Sequence, residues 1–189
     1  MEANEKTWDN IQLIQTLKEG GVVVMPTDTV YGMVASALNP TAVNRIYTIR
    51  KRNTDKPCII LIGSAADVQK FSVELTDAQR EKVSKLWPGP VSISLPCGDD
   101  NFAYLHRGTN SLAFRLPSSE ALQSLLREVG PLIAPSANPE GFPVAKNVTV
   151  AREYFGDLVD LYIDGGEVVA APSKIVRLSL DGEEEVLRD

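Results

Sequence analysis

The sequence predicts an α/β fold with α+β character, in which a twisted sheet of mixed parallel and antiparallel strands is flanked by helices. Short apolar segments alternate with segments whose apolar residues recur at helical spacing. The connections between them include both hairpin lengths and helix lengths, which favours a mixed sheet over a regular doubly wound one. Because no internal repeat, low-complexity stretch or interdomain linker interrupts this order, we expect one domain over residues 1–189.

The first half of the chain is predicted to alternate helices and short strands. Gly20–Gly21 ends the first helical segment, and Asn39 before Pro40 is a typical helix start. Ser64 and the Thr76–Gln79 capping box mark two further helix starts. The predicted elements are a helix with Trp8, Ile11, Ile14 and Leu17 on its apolar face, a strand Val22–Met25, a polar turn Pro26–Gly32, a strand Met33–Leu38, a helix Pro40–Arg50, a strand Cys58–Ile62, a short helix Ala65–Phe71 and a helix through Val83 and Leu86.

In the second half, the prolines of Trp87–Pro90 break the preceding helix, and apolar–polar alternation indicates strands. Ser118 or Ser119 caps the next helix, which ends at Gly130. The predicted elements are strands Val91–Leu95 and Ser111–Leu116, a helix through Leu122, Leu125 and Leu126, a strand Leu132–Ala134, a Pro- and Gly-rich loop to Asn147, a helix Val148–Phe155 and strands near Val159–Ile163, Ile175–Leu180 and Val186.

Composition is that of an ordinary soluble protein, 43% hydrophobic and 23% charged. A chain of this length buries about 70% of its unfolded surface when it folds. Uncharged apolar runs such as Gly21–Thr27 and Pro57–Gly63 are far shorter than the roughly 20 residues of a spanning helix, so we expect no membrane segment. The first ten residues are acidic and polar, unlike a secretory signal. We therefore expect a cytoplasmic protein.

Histidine and cysteine usage excludes several kinds of site. The single histidine, His106, rules out a His-rich metal site, and we interpret it as an exposed loop residue of a polar stretch. Two cysteines form no disulfide framework. Cys58 lies in an apolar strand and is interpreted as inert core, and Cys97 as an incidental loop thiol. We expect no protein-bound structural metal.

Charge is unevenly distributed along the chain. The net charge is −6, yet residues 45–56 carry five cations and one anion. This basic segment indicates either a discrete anion site or a solvated helix end, where the helix dipole favours cations. The residues alone leave both interpretations open.

Four polar, constrained segments are the candidate ligand-binding loops. Because the chain has neither a P-loop nor a G-x-G-x-x-G fingerprint, a bound nucleotide would need Arg and Lys side chains and loop amides to hold its phosphates. Three of the segments adjoin an apolar strand, where ligands of α/β folds collect. The four are Pro26–Gly32, Arg50–Pro57, Ser136–Pro143 and Ala171–Ser173.

Together these segments resemble the YrdC-like family, the threonylcarbamoyl-AMP synthases, from about Ile11 to Arg188. Six strings occur in the family's order. They are GGVVVMPTDTVYG (20–32), RKRNTDKP (50–57), LWPGPVSISLP (86–96), SLAFRLP (111–117), APSANPEGFP (134–143) and APSKIV (171–176).

The resemblance implies a reaction and its partners. Such enzymes join L-threonine, bicarbonate or CO2, and ATP into threonylcarbamoyl-AMP and release pyrophosphate, with Mg²⁺ carried by ATP. A threonylcarbamoyl transferase complex then moves the group to tRNA. The family fold is a twisted mixed sheet with a basic concave cavity. The chain matches the short form of the family, without the longer members' second domain.

The resemblance also implies residue roles. The K-x-R motif falls on Arg50 and Arg52, and the S-x-N motif on Ser136 and Asn138. The implied catalytic residues are Arg52, Ser136 and Asn138. The implied ATP and phosphate ligands are Arg50, Arg52, Lys56, Ser111, Asn138 and Arg188. The implied threonine ligands are Thr27, Tyr31, Arg115, Ser136 and Ser173.

Three residues depart from the family pattern, namely Arg50 in place of Lys, Lys146 and Lys174. They would tune ATP affinity or mark a paralogue with altered activity. Two alternatives therefore stay open. One is a non-catalytic RNA-binding paralogue acting in tRNA or rRNA maturation, and the other is a carbamoyl-transfer domain like that of hydrogenase maturation proteins.

Overall fold

The computed structural model describes residues 7–189. Our interpretation of the first ten residues falls in part on residues 1–6, which lie outside the described residues. Six α-helices are present in the described range: α1 Ile11–Lys18, α2 Pro40–Arg50, α3 Asp77–Leu86, α4 Ala103–His106, α5 Glu120–Val129 and α6 Val148–Phe155. Short 3-10 helices cover Ala65–Phe71, Asp100–Phe102 and Gly156–Leu158. The strands are β1 Val23–Pro26, β2 Tyr31–Ser36, β3 Ile59–Leu61, β4 Val91–Pro96, β5 Ser111–Arg115, β6 Leu132–Ile133, β7 Leu161–Tyr162, β8 Lys174–Leu178 and β9 Glu184–Arg188.

All nine strands form one sheet in the order β7-β1-β2-β6-β3-β5-β4-β8-β9. Three pairs are parallel, β1–β7, β3–β5 and β4–β8, and the other five are antiparallel. The predicted mixed sheet is therefore confirmed.

Helices cover both faces of the sheet. On one face, α1 and α5 pack Leu17 and Leu126 against strand residues such as Leu61. On the other face, α2 packs Ile46 against the layer that contains Ile60 and Phe114. Because the central strands are buried on both sides, they are apolar runs and show little alternation.

The polar residues placed before helices cap them as the sequence predicts. The Asn39 side chain accepts from the Thr41 and Ala42 amides, with Pro40 as the first helical residue. Thr76 and Gln79 form the reciprocal capping box of α3. Of the two candidate serines before α5, Ser119 is the cap.

The structure corrects the predicted face of the first helix. Ile11 is the first residue of α1 and is 80% exposed, whereas Leu13 and Leu17 are buried. Asn10 caps the helix, so Trp8 lies before it and its indole N–H donates instead to the Pro26 carbonyl. The predicted apolar face therefore combined Trp8, which lies before the helix, with residues inside it.

The second correction concerns His106, which is buried rather than exposed. It ends the short helix α4, which the sequence analysis missed, and its Nδ1 accepts from the Gly108 amide at 3.2 Å. Local polarity was misleading here because α4 packs against α2, where Arg107 lies over the Tyr47 ring.

No helix within residues 7–189 is long and apolar enough to cross a membrane.

Candidate active site

The four polar segments singled out in the sequence meet at one cavity. Its volume is about 720 Å³, which includes open solvent at its mouth. The residues lining it include Thr27, Thr29, Val30, Gly32, Arg52, Pro57, Cys58, Ile59, Arg115, Ala134, Pro135, Ser136, Pro172, Ser173, Ile175 and Arg188.

Backbone hydrogen bonds fix one wall of the cavity. Met33 donates to the Pro135 carbonyl at 2.9 Å, and Ala137 donates to the Tyr31 carbonyl at 2.8 Å. Gly32 and Ser136 form an isolated antiparallel bridge between these contacts. The chain after β6 is therefore held beside the start of β2, which brings Ser136 next to the loop of residues 27–30.

The floor of the cavity is the part lined by Arg115, which forms a buried ion pair with Asp28 behind the lining. Arg115, the last residue of β5, donates from Nη1 to Asp28 Oδ1 at 2.6 Å, and the two side chains are only 5% and 6% exposed. The other Asp28 oxygen accepts from the Ser118 amide at 3.1 Å. Burial lowers the pKa of Arg115, and the Asp28 carboxylate opposes that shift.

Arg115 keeps donor capacity beyond this pair. Its Nε is buried and has no hydrogen-bond partner among residues 7–189. Since an unsatisfied buried donor is costly, an anion in the cavity that accepts from Arg115 would be stabilised.

Thr27 and Tyr31 flank the hairpin turn in different ways. The Thr27 hydroxyl donates to the Val30 carbonyl at 2.7 Å, and its side chain borders the cavity. The Tyr31 side chain is fully buried, and its hydroxyl donates to the Gly166 carbonyl at 2.8 Å and accepts from the Gly165 amide. Burial raises the pKa of Tyr31. Tyr31 thus holds the segment after β7 and lies behind the cavity lining.

Two arginines that line the cavity, here called its rim, are not neutralised by any carboxylate of residues 7–189. Arg52 donates to the Lys56 and Pro57 carbonyls, and Arg188 donates to the Ser173 carbonyl at 2.7 Å. Neither forms a salt bridge within residues 7–189. Partial burial lowers the pKa of Arg188, and so does the positive charge of Arg52. Two like charges that oppose each other in this way create a site suited to an anion.

A pair of serines completes the opposite wall. Ser173 Oγ and Ser92 Oγ are 2.8 Å apart, and both side chains are buried. Ser173 lines the cavity just before β8, so strand pairing between β4 and β8 sets its position.

Arg50 lies behind the cavity lining. It is only 2% exposed, and its Nε and Nη2 donate to the Asn138 carbonyl and Oδ1 at 2.9 and 3.1 Å. Nη2 also approaches Ser136 Oγ at 3.4 Å. Burial, and then the charge of Arg52, lower the pKa of Arg50 to about 10, so it stays charged at neutral pH. The geometry makes Arg50 a clamp on Ser136 and Asn138.

The Asn138 side chain is also committed to internal contacts. Its Oδ1 accepts the Ser136 hydroxyl at 2.6 Å, and its Nδ2 donates to the Pro139 and Phe142 carbonyls. Ser136 lines the cavity and Asn138 does not. Because the Ser136 hydroxyl donates its hydrogen bond to Asn138, the Ser136 oxygen retains acceptor capacity toward the cavity.

The remaining predicted cations carry ion pairs at the surface. Lys56 Nζ lies 2.7 Å from Glu140 Oε1, with side-chain exposures of 59% and 30%. Lys146 lies 3.4 Å from Glu167, and Lys174 lies 3.5 Å from Asp189. None of these three lysines lines the cavity.

Ser111 lies apart from the other predicted site residues. It is the first residue of β5, four positions from Arg115, and its hydroxyl contacts Thr109 at 3.3 Å. Four residues of strand separate the two by about 13 Å. Ser111 is therefore outside the cavity.

Sequence reasoning missed two acidic residues beside the site. Asp28 and Glu140 are not among the site residues that the sequence analysis predicts. A signal existed for each, since each is the single acid of a loop that also carries candidate ligands, residues 26–32 and 134–143.

The described residues provide no preformed metal centre. Within residues 7–189 no group of three or more His, Cys, Asp or Glu side chains could hold a metal ion. Asp28, the acid beneath the cavity, already neutralises Arg115.

Comparison with known proteins gives consistent matches. The model of the family described as "Telomere recombination", which covers Sua5, YciO and YrdC, matches residues 15–189. A protein of Mycobacterium leprae named as a putative threonylcarbamoyl-AMP synthase is 35% identical over 88% of this chain and 76% of its own length.

Two solved structures have the same fold. Sua5 of Pyrococcus abyssi, solved with L-threonine, superposes with a TM-score of 0.85 at 30% identity, covering 98% of this chain and 54% of that one. Escherichia coli YciO superposes with a TM-score of 0.82 at 21% identity, covering 98% and 90%.

Proposed function

Because the chain belongs to the Sua5/YciO/YrdC family, we propose that it is a threonylcarbamoyl-AMP synthase. It joins L-threonine, bicarbonate or CO2, and ATP into threonylcarbamoyl-AMP and pyrophosphate, which makes it a nucleotidyltransferase. One observation carries the proposal beyond family membership. The cavity lies between a carboxylate-binding candidate, Arg115, and two arginines without salt bridges in residues 7–189, Arg52 and Arg188.

The substrates are assigned to opposite parts of the cavity. Threonine binds at the floor, where its carboxylate accepts from Arg115 and where Thr27 and Ser173 border the site. The ATP phosphates bind at the rim beside Arg52 and Arg188. Ser111 lies outside the cavity and contacts neither substrate. Arg50 and Asn138 act indirectly, because their hydrogen bonds hold Ser136 in place.

The reaction needs little acid–base chemistry from the protein. The threonine amine attacks CO2 and gives up a proton to a bicarbonate ion, which leaves a carbamate. A carbamate oxygen then attacks the α-phosphorus of ATP, and the bond to the β-phosphate oxygen breaks as pyrophosphate leaves. Arg52 and Arg188 neutralise the charge that grows on the leaving group, while Ser136 accepts the carbamate N–H. Mg²⁺ arrives with the ATP phosphates.

The product's use extends the proposal to partners. A threonylcarbamoyl transferase complex would carry the group to tRNA in the cytoplasm. Direct RNA binding by the basic segment is less favoured, because Arg50 is buried and Arg45 and Lys56 are paired with Asp160 and Glu140.

Pyrophosphate release tests the proposal. The purified protein is given ATP, Mg²⁺ and bicarbonate, with and without L-threonine. We expect release that depends on both threonine and bicarbonate. If no pyrophosphate is released but RNA is bound with a steep salt dependence, the synthase proposal fails in favour of the RNA-binding paralogue.

A further inference from the structure

Glu140 makes contacts that the proposed reaction does not use. Its Oε1 accepts from Lys56 Nζ at 2.7 Å, and its Oε2 accepts from the Asn53 amide. Its own amide donates to the Arg50 carbonyl at 3.0 Å. Glu140 therefore connects the asparagine loop (residues 136–143) to the arginine loop (residues 51–57) and to Arg50, which precedes the arginine loop.

The other hydrogen bonds of the arginine loop are local. The Arg52 side chain donates to Lys56 and Pro57, and the Tyr47 hydroxyl donates to the Lys56 carbonyl at 2.9 Å. Among residues 7–189, Glu140 is the one residue outside 47–58 whose side chain hydrogen-bonds to this loop. Together with Arg50, which clamps Ser136 and Asn138 from the preceding residue, Glu140 therefore sets the position of Arg52 relative to Ser136.

We propose that Glu140 is a positioning residue, which holds the arginine loop against the asparagine loop so that Arg52 and Ser136 face the same ATP molecule. Glu140 does not line the cavity, so it acts through Arg52. The inference rests on the proposed function, because ATP is the ligand that both loops would bind.

Electrostatics alone would give the opposite effect. A carboxylate near a phosphate site repels ATP, so removing its charge would lower the KM for ATP. The Lys56 ammonium, and then the Asn53 amide, lower the pKa of Glu140, so the carboxylate is charged at neutral pH. A positioning role instead predicts that the KM for ATP rises when the Glu140 carboxylate is removed. The arginine loop then loses its hydrogen bonds to Glu140. The sign of the change separates the two explanations.

Steady-state kinetics of pyrophosphate release provide the first test. For Glu140→Ala we expect the KM for ATP to rise about tenfold, because a displaced loop misplaces Arg52. Glu140→Gln should stay within about threefold of the parent protein, since its amide oxygen still accepts from the Asn53 amide. Glu128→Ala is the matched control, because Glu128 lies on α5 and pairs with Lys18 at 2.9 Å far from the cavity; it should change nothing.

Amide hydrogen exchange provides a readout that does not require activity. Glu140→Ala should speed exchange over residues 51–57, with Asn53 most affected, and Glu128→Ala should not. An unchanged or lower KM, or unchanged exchange over the loop, overturns the proposal. If the parent protein releases no pyrophosphate, the proposed function fails separately. Hydrogen exchange and the ATP affinity measured by calorimetry then test the positioning role of Glu140. Weaker ATP binding by Glu140→Ala supports this role, and equal or tighter binding refutes it.

Discussion

The floor and the rim of the cavity both contain charged side chains, but the two regions differ in how much water reaches them. At the floor, Arg115 and Asp28 are about one-twentieth exposed and pair with each other. At the rim, Arg52 is half-buried and Arg188 is exposed, and neither has a carboxylate partner within residues 7–189. A buried charge needs its protein partner for the fold to be stable, whereas an exposed charge without a partner remains available to a ligand.

The largest effect that this comparison predicts comes from breaking the floor pair. Asp28→Ala leaves the Arg115 guanidinium buried without its counter-charge, which should cost about 3–5 kcal/mol in the free energy of unfolding. Urea unfolding of Asp28→Ala beside Glu128→Ala measures the difference. A cost below about 1 kcal/mol would show that Arg115 reaches water in solution.

At the rim, Arg52→Ala should affect catalysis more than folding. We expect turnover to fall at least about hundredfold, or about 2.7 kcal/mol, because charge on the leaving pyrophosphate loses a partner. The far-ultraviolet circular dichroism and the urea midpoint should stay close to those of the parent protein. Undiminished turnover would remove Arg52 from the site.

Arg50 tests an intermediate case, since it is two residues from Arg52 but buried. In Arg50→Lys a single ammonium replaces a planar group that donates to both Ser136 and Asn138. We expect a loss of about 1–2 kcal/mol of unfolding free energy. A lysine variant as stable as the parent, with unchanged ATP affinity, would contradict the clamp.

The smallest effect on stability is expected for Lys56→Ala. Lys56 is mostly exposed, and the Glu140–Asn53 contact survives its removal. The urea midpoint should not shift measurably. A shift as large as that of Asp28→Ala would contradict the distinction between buried and exposed charges.

Local signals predicted much of the fold. The caps at Asn39 and Thr76 depend on residues within one helical turn, so the sequence alone determines them. The exposed Ile11 and the buried His106 depend on which surface packs against another element. Such packing comes from residues distant in the chain, and spacing within one segment does not reveal it.

In the candidate site, too, some features depend on local sequence and others on packing between distant residues. The polar segments were recognisable because each combines chemistry-bearing side chains with turn residues, and all four border the cavity. Sequence reasoning could not tell that Arg50 would be buried and Arg52 would face the cavity. That outcome depends on Lys51, whose left-handed backbone (φ 51°) ends α2 and turns the chain between them.

The strand order has a consequence for synthesis on the ribosome. The cavity takes residues from Thr27 through to Arg188, and Arg188 reaches Ser173 from β9, which follows the other described strands in the chain. A nascent chain therefore lacks a complete anion site until β9 has left the exit tunnel and paired with β8. The proposed ATP ligand would consequently bind chains in which β9 is paired far better than shorter ones, and it would stabilise the pairing of β8 with β9.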